Sequence, residues 1–349
     1  VRSENQSATE WRLSIQNYAL QSTEEQHKVF FTDLVTELST EKITLLKRNE
    51  WSAEQREWLY HLFMHNMLPV FTPIALDLAH PFPHITNKSL NFIVDLKGID
   101  AYGRNIDTAI LPIPENLPHI IEIPSATGEI QLTTIQSIIE EFVADIFPGL
   151  TILGLYQFRV TRNSHLYIDK EELTNLHQAL RGELKQRGFG HAVRLEIETN
   201  CPKHLISLLL KEFKLTTEDL YATEYHFDFS QIHNIIDYID KKPHLVFQPI
   251  RKNIPSRWEN RANAFDEIKF KDVLLHHPYD NFLPVIDFLR EAVDDPQVRV
   301  IRMTVYRTGD DSDLMELLVN AARQGKEVNV VVELMARFDE ATNLSWASR

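Results

Sequence analysis

The chain has one cysteine, Cys201. A lone thiol permits no intrachain disulfide, and such usage suits a reducing cytoplasm. No apolar run approaches the length of a membrane span, and the opening stretch VRSENQSATE has no signal-peptide pattern. Val1 is not a start methionine, so the sequence reads as clipped. Basic excess is missing as well: 36 Lys and Arg stand against 50 Asp and Glu, a net charge of −14. This balance excludes a nonspecific nucleic-acid coat and leaves polyanion binding to local positive clusters. Residues 1–68 contain no glycine. No internal repeat is visible, and the glycines of RGFGHA (Arg187 to Ala192) lack the spacing of a phosphate loop.

With 349 residues the chain exceeds one ordinary core, so two or three domains are expected. Its 43% hydrophobic and 25% charged residues are those of a soluble globular protein. Residues 1–68 read as a helical bundle. Ser22 with Glu25 and Ser52 with Gln55 have capping-box spacing. Val29, Phe30, Leu34 and Leu38 predict one apolar face; Trp58, Leu59, Leu62 and Phe63 predict another. Absence of glycine agrees, and Pro69 and Pro73 mark a boundary.

Residues 69–252 read as an α+β domain. Strands are expected at Leu90–Leu96, Thr108–Ile113, Tyr156–Thr161, His165–Ile168 and Ala192–Ile197. Helices are expected at Thr133–Ile146, Lys170–Arg187, stopped by Gly188, and Pro202–Phe213. Prolines 243, 249 and 255, with Arg251, Lys252 and Arg257, read as a linker. Residues 253–349 read as α/β. There, Val298–Val305 is apolar and β-branched, a buried strand. Asp311–Gln324 has helical spacing and Gly325 suits its stop, and Val328–Leu334 is a second buried strand. Strand, helix, strand predicts a parallel pair. Arg307 then falls just past the C-terminal end of the first strand and Arg337 just past that of the second. Ligands of open parallel sheets bind at that edge, and two guanidinium forks suit phosphate oxygens. Ion pairing with Asp310 or Asp339 is the alternative reading of both arginines. Two parallel strands cannot cover both faces of a sheet, so the domain is expected to be unfinished at Arg349.

The stretches DNFLPVIDFLREAVDDPQVRVIRMTVYR and GKEVNVVVELMARFDEATNLSWA closely resemble the first C-terminal domain of the polyphosphate kinases, the large histidine-phosphorylating family with phospholipase-D-like catalytic domains. The likeness continues upstream through LLHHPYD (Leu274 to Asp280), RGFGHAVRLE (Arg187 to Glu196), FRVTR (Phe158 to Arg162) and FTPIALDLAHPFPHITNKSLN (Phe71 to Asn91), and so spans nearly the whole chain. It implies a partial N-terminal helical domain (1–68), a middle or head α+β domain that supports dimerisation (69–252), and the beginning of a phospholipase-D-like α/β catalytic domain (253–349). The implied reaction is reversible transfer of the terminal phosphate of ATP to polyphosphate through a phosphohistidine, with Mg²⁺. Arg307 and Arg337 match the two arginines of the family's phosphate–magnesium site. They would hold Mg²⁺ through phosphate, since a charged guanidinium has no lone pair for a metal. Implied partners are ATP or ADP, polyphosphate and a second copy of the chain. The implied location is the cytoplasm, free or peripheral to the membrane.

No His-x-Lys occurs here, so the resemblance places the phosphohistidine beyond Arg349, assigns no catalytic residue to this stretch, and implies that the stretch alone is inactive. The nucleotide-contacting asparagine is likewise expected upstream of Val1. His276 and His277 read as structural, because neighbours on a strand point to opposite faces. His61 and His65 have i, i+4 spacing but no third metal ligand, and His80 and His84 flank prolines of a rigid turn. Asp339 and Glu340 read either as acid–base residues or as partners of Arg337 and of a helix start. Arg159 and Arg162 carry no assignment. Two other functional classes fit the same residues: a noncatalytic anion-binding or dimerisation module, and a phospholipase-D-like phosphodiesterase, which the missing His-x-Lys weakens.

Overall fold

The computed structural model describes residues 7–76, 81–99, 103–125, 128–163, 190–224, 229, 232–239, 242–309 and 312–349. The chain divides into two compact units, Val1–His165 with Arg187–Val246, and Leu166–Gln186 with Phe247–Arg349. Pro69 and Pro73 therefore lie inside the first unit, and its other limit falls within the proline-marked stretch 243–257. The strand expected at His165–Ile168 and the helix expected at Lys170–Arg187 lie outside the described residues.

The first unit opens with α1 (Ala8–Lys28), a π-helical turn (Val29–Leu34) and α2 (Val35–Thr40). Ser7 and Glu10 form the capping box that starts α1. Ser22 sits in the middle of that helix, so its spacing to Glu25 marks no start. The single face expected of Val29, Phe30, Leu34 and Leu38 does not form either. The Val35 N–H bonds the Phe30 carbonyl, five residues back, and this extra residue turns Val29 and Leu34 outward while Phe30 is buried. Short β1 (Ile43–Leu45) follows, where only helix was expected, and then α3 (Ala53–Leu62). The Ser52–Gln55 capping box at the start of α3 is as expected.

Next come β2 (Ile74–Ala75), β3 (Leu90–Ile99), β4 (Asn105–Pro112), β5 (Ile120–Ile123), β6 (Ile130–Thr134), α4 (Ile135–Ile146), β7 (Thr151–Arg162), β8 (Ala192–Glu198), α5 (Lys203–Phe213), β9 (Leu220–Thr223) and α6 (His233–Ile239). Six strands form one sheet in the order β2-β4-β3-β7-β8-β9, antiparallel except for β8 and β9. Side chains alternate across it. Leu90, Phe92, Val94 and Leu96 join a core with α3 and α4, whereas Ile93 joins Phe158, Val160 and Leu205 on the α5 side. A smaller sheet, β1-β6-β5, binds the N-terminal segment to the middle one, with β1 parallel to β6. Strand β7 begins five residues before its expected start. Within that added stretch Gly154 leaves room for the Tyr156 ring, which a Cβ at 154 would run into.

The second unit contains α7 (Ser256–Glu259), α8 (Ala264–Phe270), α9 (Leu283–Asp294), β10 (Val300–Val305), α10 (Asp313–Arg323), β11 (Glu327–Val332) and α11 (Glu340–Ser348). Strands β10 and β11 are parallel, in register from Val300↔Glu327 to Val305↔Val332. Gly325, at φ 88°, ends the connecting helix where expected. Both strands were expected to be buried; they are buried on one face only. Ile301, Val305 and the partly covered Val328 and Val330 pack with α9 and α10, whereas Val331 is 68% exposed. Among the described residues no helix is long and apolar enough to cross a membrane.

Candidate functional site

The parallel pair delivers Arg307 and Arg337 to one edge. Arg307 lies two residues past the end of β10, and Arg337 five past the end of β11. Both are exposed. The last rung of the ladder is the bond from the Glu333 N–H to the Val305 carbonyl, 3.0 Å. Beyond it the chains diverge, and Asn343 bridges them: its amide Nδ2 donates to the Tyr306 carbonyl at 2.8 Å and to the Glu333 carbonyl at 2.7 Å. Trp346, one turn on in α11, donates from its ring Nε1 to the Gly309 carbonyl at 3.1 Å. Arg307 Nη2 then crosses to the Arg337 carbonyl at 2.8 Å, so the two arginine-bearing loops touch.

The remaining groups of this edge have simpler roles. Asp339 flanks the start of α11 and its Oδ2 stands 3.8 Å from Arg307 Nε, an ion pair too long for a hydrogen bond. The alternative reading of Arg307 as an ion-pair residue is therefore partly realised. For Arg337 the contact found is its own neighbour, with the guanidinium 5.1 Å from the centre of the Phe338 ring. Asp310 lies outside the described residues. Glu340 is buried in the first turn of α11. Sequence reasoning gave Asn343 and Trp346 no role, because their partners are backbone carbonyls distant in the chain.

His276 and His277 sit in a turn rather than on the expected strand. The His276 N–H donates to Asp280 Oδ2 at 2.7 Å, the Asp280 N–H returns to the His276 carbonyl at 2.8 Å, and His277 Nδ1 lies 3.1 Å from the Asp280 carbonyl. Their partners are local, which gives the pair a turn-forming role. His61 and His65 stack with ring centres 6.2 Å apart. His80 lies outside the described residues.

The arginines of FRVTR differ from the edge pair. Arg159 forks onto Glu196 through Nε and Nη2, both at 3.1 Å, across the β7–β8 pair. Arg162 donates to the Ile85 carbonyl at 2.8 Å and to the Gly190 carbonyl at 3.0 Å, and burial pulls its pKa down. Cys201 is buried and its thiol is pushed up to about 12, chiefly by burial, so it is an inert core residue.

Comparison with known proteins bears on the same stretches. Residues 54–235 match the family described as the polyphosphate kinase middle domain, and residues 263–349 match polyphosphate kinase C-terminal domain 1. The chain belongs to the polyphosphate kinase family. A polyphosphate kinase of Burkholderia multivorans is 44% identical over 93% of this chain and 47% of its own length. One from Pseudomonas putida is 43% identical over 93% of this chain and 45% of its own. The chain thus spans about half the length of the curated relatives it matches. The crystal structure of polyphosphate kinase from Porphyromonas gingivalis superposes with a TM-score of 0.75 at 21% identity, over 97% of this chain and 49% of that one. The mixed α/β, multidomain fold is shared with that structure.

Proposed function

We propose that the chain serves reversible transfer of the terminal phosphoryl group of ATP to polyphosphate, with Arg307 and Arg337 gripping phosphate oxygens at the strand-end edge. The observation that carries the reading is the meeting of the two loops, with Arg307 bonded to the Arg337 backbone and both guanidiniums exposed. Phosphoryl transfer asks for alignment and charge neutralisation more than for covalent machinery, and paired guanidinium forks supply both. Magnesium fits this edge only in company with phosphate. A charged guanidinium offers no lone pair, and among the described residues no group of three or more His, Cys, Asp or Glu could hold a metal. When bound, the ion supplies further neutralisation of phosphate charge. The phosphohistidine of the family is assigned to no residue of this chain.

Family membership supports further parts of the proposal. The partition into an N-terminal helical module (1–68), a middle module (69–252) and a phospholipase-D-like module (253–349) is proposed in functional terms, with homo-oligomerisation through the middle module. ATP, ADP and polyphosphate are the proposed partners, and the cytoplasm, free or at the membrane periphery, the proposed location. The decisive experiment measures ATP-dependent polyphosphate synthesis by the protein carrying this sequence. Arg307→Ala and Arg337→Ala should each lower turnover by about 100-fold or more with little change in stability. Lysine should rescue only partly, because a point charge lacks the planar fork. Arg323→Ala, on α10, is the control. Near-normal turnover in both site variants would reduce the pair to surface ion-pair residues.

A further inference from the structure

We propose that Asn343 is the positioning residue of the two-arginine edge, fixing the separation of the loops that carry Arg307 and Arg337. The proposal rests on the reading of that pair as a phosphate grip. Asn343 is fully buried. Its two partners, the carbonyls of Tyr306 and Glu333, can only accept, so the chemistry itself settles that the NH₂ group faces them. Each carbonyl belongs to the first residue beyond its strand, where the ladder has ended. The amide therefore acts as one more rung, across a gap that backbone bonds no longer close. Tyr306 immediately precedes Arg307, so a shift of this rung is a shift of the arginine.

Two features argue that the side chain is there for placement rather than for packing. Among the described residues its buried Oδ1 has no hydrogen-bond partner, a cost that an apolar residue of similar size avoids. Its own helix is also tied to the same edge, since the Asn343 N–H bonds the Asp339 carbonyl at 2.8 Å and Asp339 pairs with Arg307. Aspartate is isosteric but turns acceptors towards two acceptors. Leucine fills the space and bonds neither.

The test uses Asn343→Leu in this chain, with the milder Asn343→Ser carrying it if the leucine variant does not fold. Amide hydrogen exchange should accelerate at least tenfold at residues 306–309 and 334–338, with β10 and β11 unchanged. Calorimetric affinity for magnesium tripolyphosphate should fall about tenfold. In an Arg307→Ala background the same substitution should cost less than twofold, because the pair whose separation it sets no longer exists. Unchanged exchange in the two loops overturns the proposal, as does an undiminished loss of affinity in the Arg307→Ala background. A different result marks failure of the phosphate reading: accelerated exchange with Arg307→Ala and Arg337→Ala binding tripolyphosphate as the parent does.

Discussion

Two sheets of this molecule carry arginines in sequence contexts that look equally motif-like, and the sheets treat them in opposite ways. In the first unit Arg159 spends its fork on Glu196 and Arg162 on two backbone carbonyls, inside a sheet packed on both faces. In the second, Arg307 and Arg337 stand at the open end of a parallel pair with only one face covered, and Arg307 gives one donor to the opposite loop. An arginine whose donors are already bound within the fold has no fork left for a phosphate. An exposed one beyond a strand end does. Family resemblance covers both stretches but gives Arg159 and Arg162 no assignment; hydrogen-bond accounting shows where their donors go.

The largest expected effect tests the two-faced packing itself. Phe158 is fully buried in the first unit, between the sheet and α5. Phe158→Ala should cost about 3–5 kcal/mol, the transfer loss plus the cavity. Val331, on the open face of β11 and 68% exposed, should change stability by about 0.5 kcal/mol or less when cut to alanine. Urea unfolding of both variants checks the contrast. Equal losses would mean that the open face of β11 is covered in solution.

The arginines provide the second contrast. Among the described residues, Arg159→Met leaves Glu196, 8% exposed, with Arg194 as its remaining ion-pair partner at 3.0 Å. A loss of about 1–3 kcal/mol in stability is expected, with tripolyphosphate affinity unchanged. Arg307→Ala should do the reverse, weakening tripolyphosphate binding by about tenfold or more while the unfolding midpoint stays put. If Arg159→Met also weakens binding in fully folded protein, the distinction between spent and available forks is wrong.

Legibility in the sequence followed period and length. The β10–α10–β11 unit was readable because its apolar runs and Gly325 each obey one rule, and the arginine edge followed from it. β1, β5, β6 and β9 were not: each has three to five residues, too few to show alternation, and their order in the sheets is set by contacts far apart in the chain. The π-helical turn at Val29–Leu34 also hides from a 3.6-residue period. Asn343 was invisible for a different reason. Its partners are backbone carbonyls 37 and 10 residues away, and no spacing rule encodes such bonds.

A third contrast is electrostatic and sits within the tightly packed unit. Glu198 is pushed up to about 7, chiefly by burial, against the bond it accepts from the Gln157 N–H. Its unfolded value is about 4.3. Between those values the folded chain holds a proton that the unfolded chain has released, so stability falls as pH rises through this window and stays lowered above it. Glu198→Gln removes the titration. It should stabilise the protein by about 1–2 kcal/mol at pH 8, less than the full shift implies because the site is partly solvated, and should be nearly neutral at pH 4. Urea titrations at the two pH values measure the difference. A gain of the same size at both would show that the glutamate acts through packing rather than charge.

The smallest expected effect compares how helices begin in the two units. Ser52 starts α3 with a reciprocal box: its hydroxyl accepts from the Gln55 N–H at 3.1 Å, and the Gln55 side chain accepts from the Ser52 N–H at 2.9 Å. Ser312 starts α10 with one long bond, from the Met315 N–H at 3.4 Å. Two satisfied donors should outweigh one stretched bond, so Ser52→Ala should cost about 1 kcal/mol and Ser312→Ala about half of that. Ser22 has the same spacing to an acidic residue but lies within α1, where no donor is orphaned, and alanine is the better helix former there. Ser22→Ala should therefore be neutral or slightly stabilising in thermal unfolding. A loss as large as that of Ser52→Ala would mean that α1 breaks near residue 22 in solution, and that the spacing rather than the continuous helix describes the N-terminal segment.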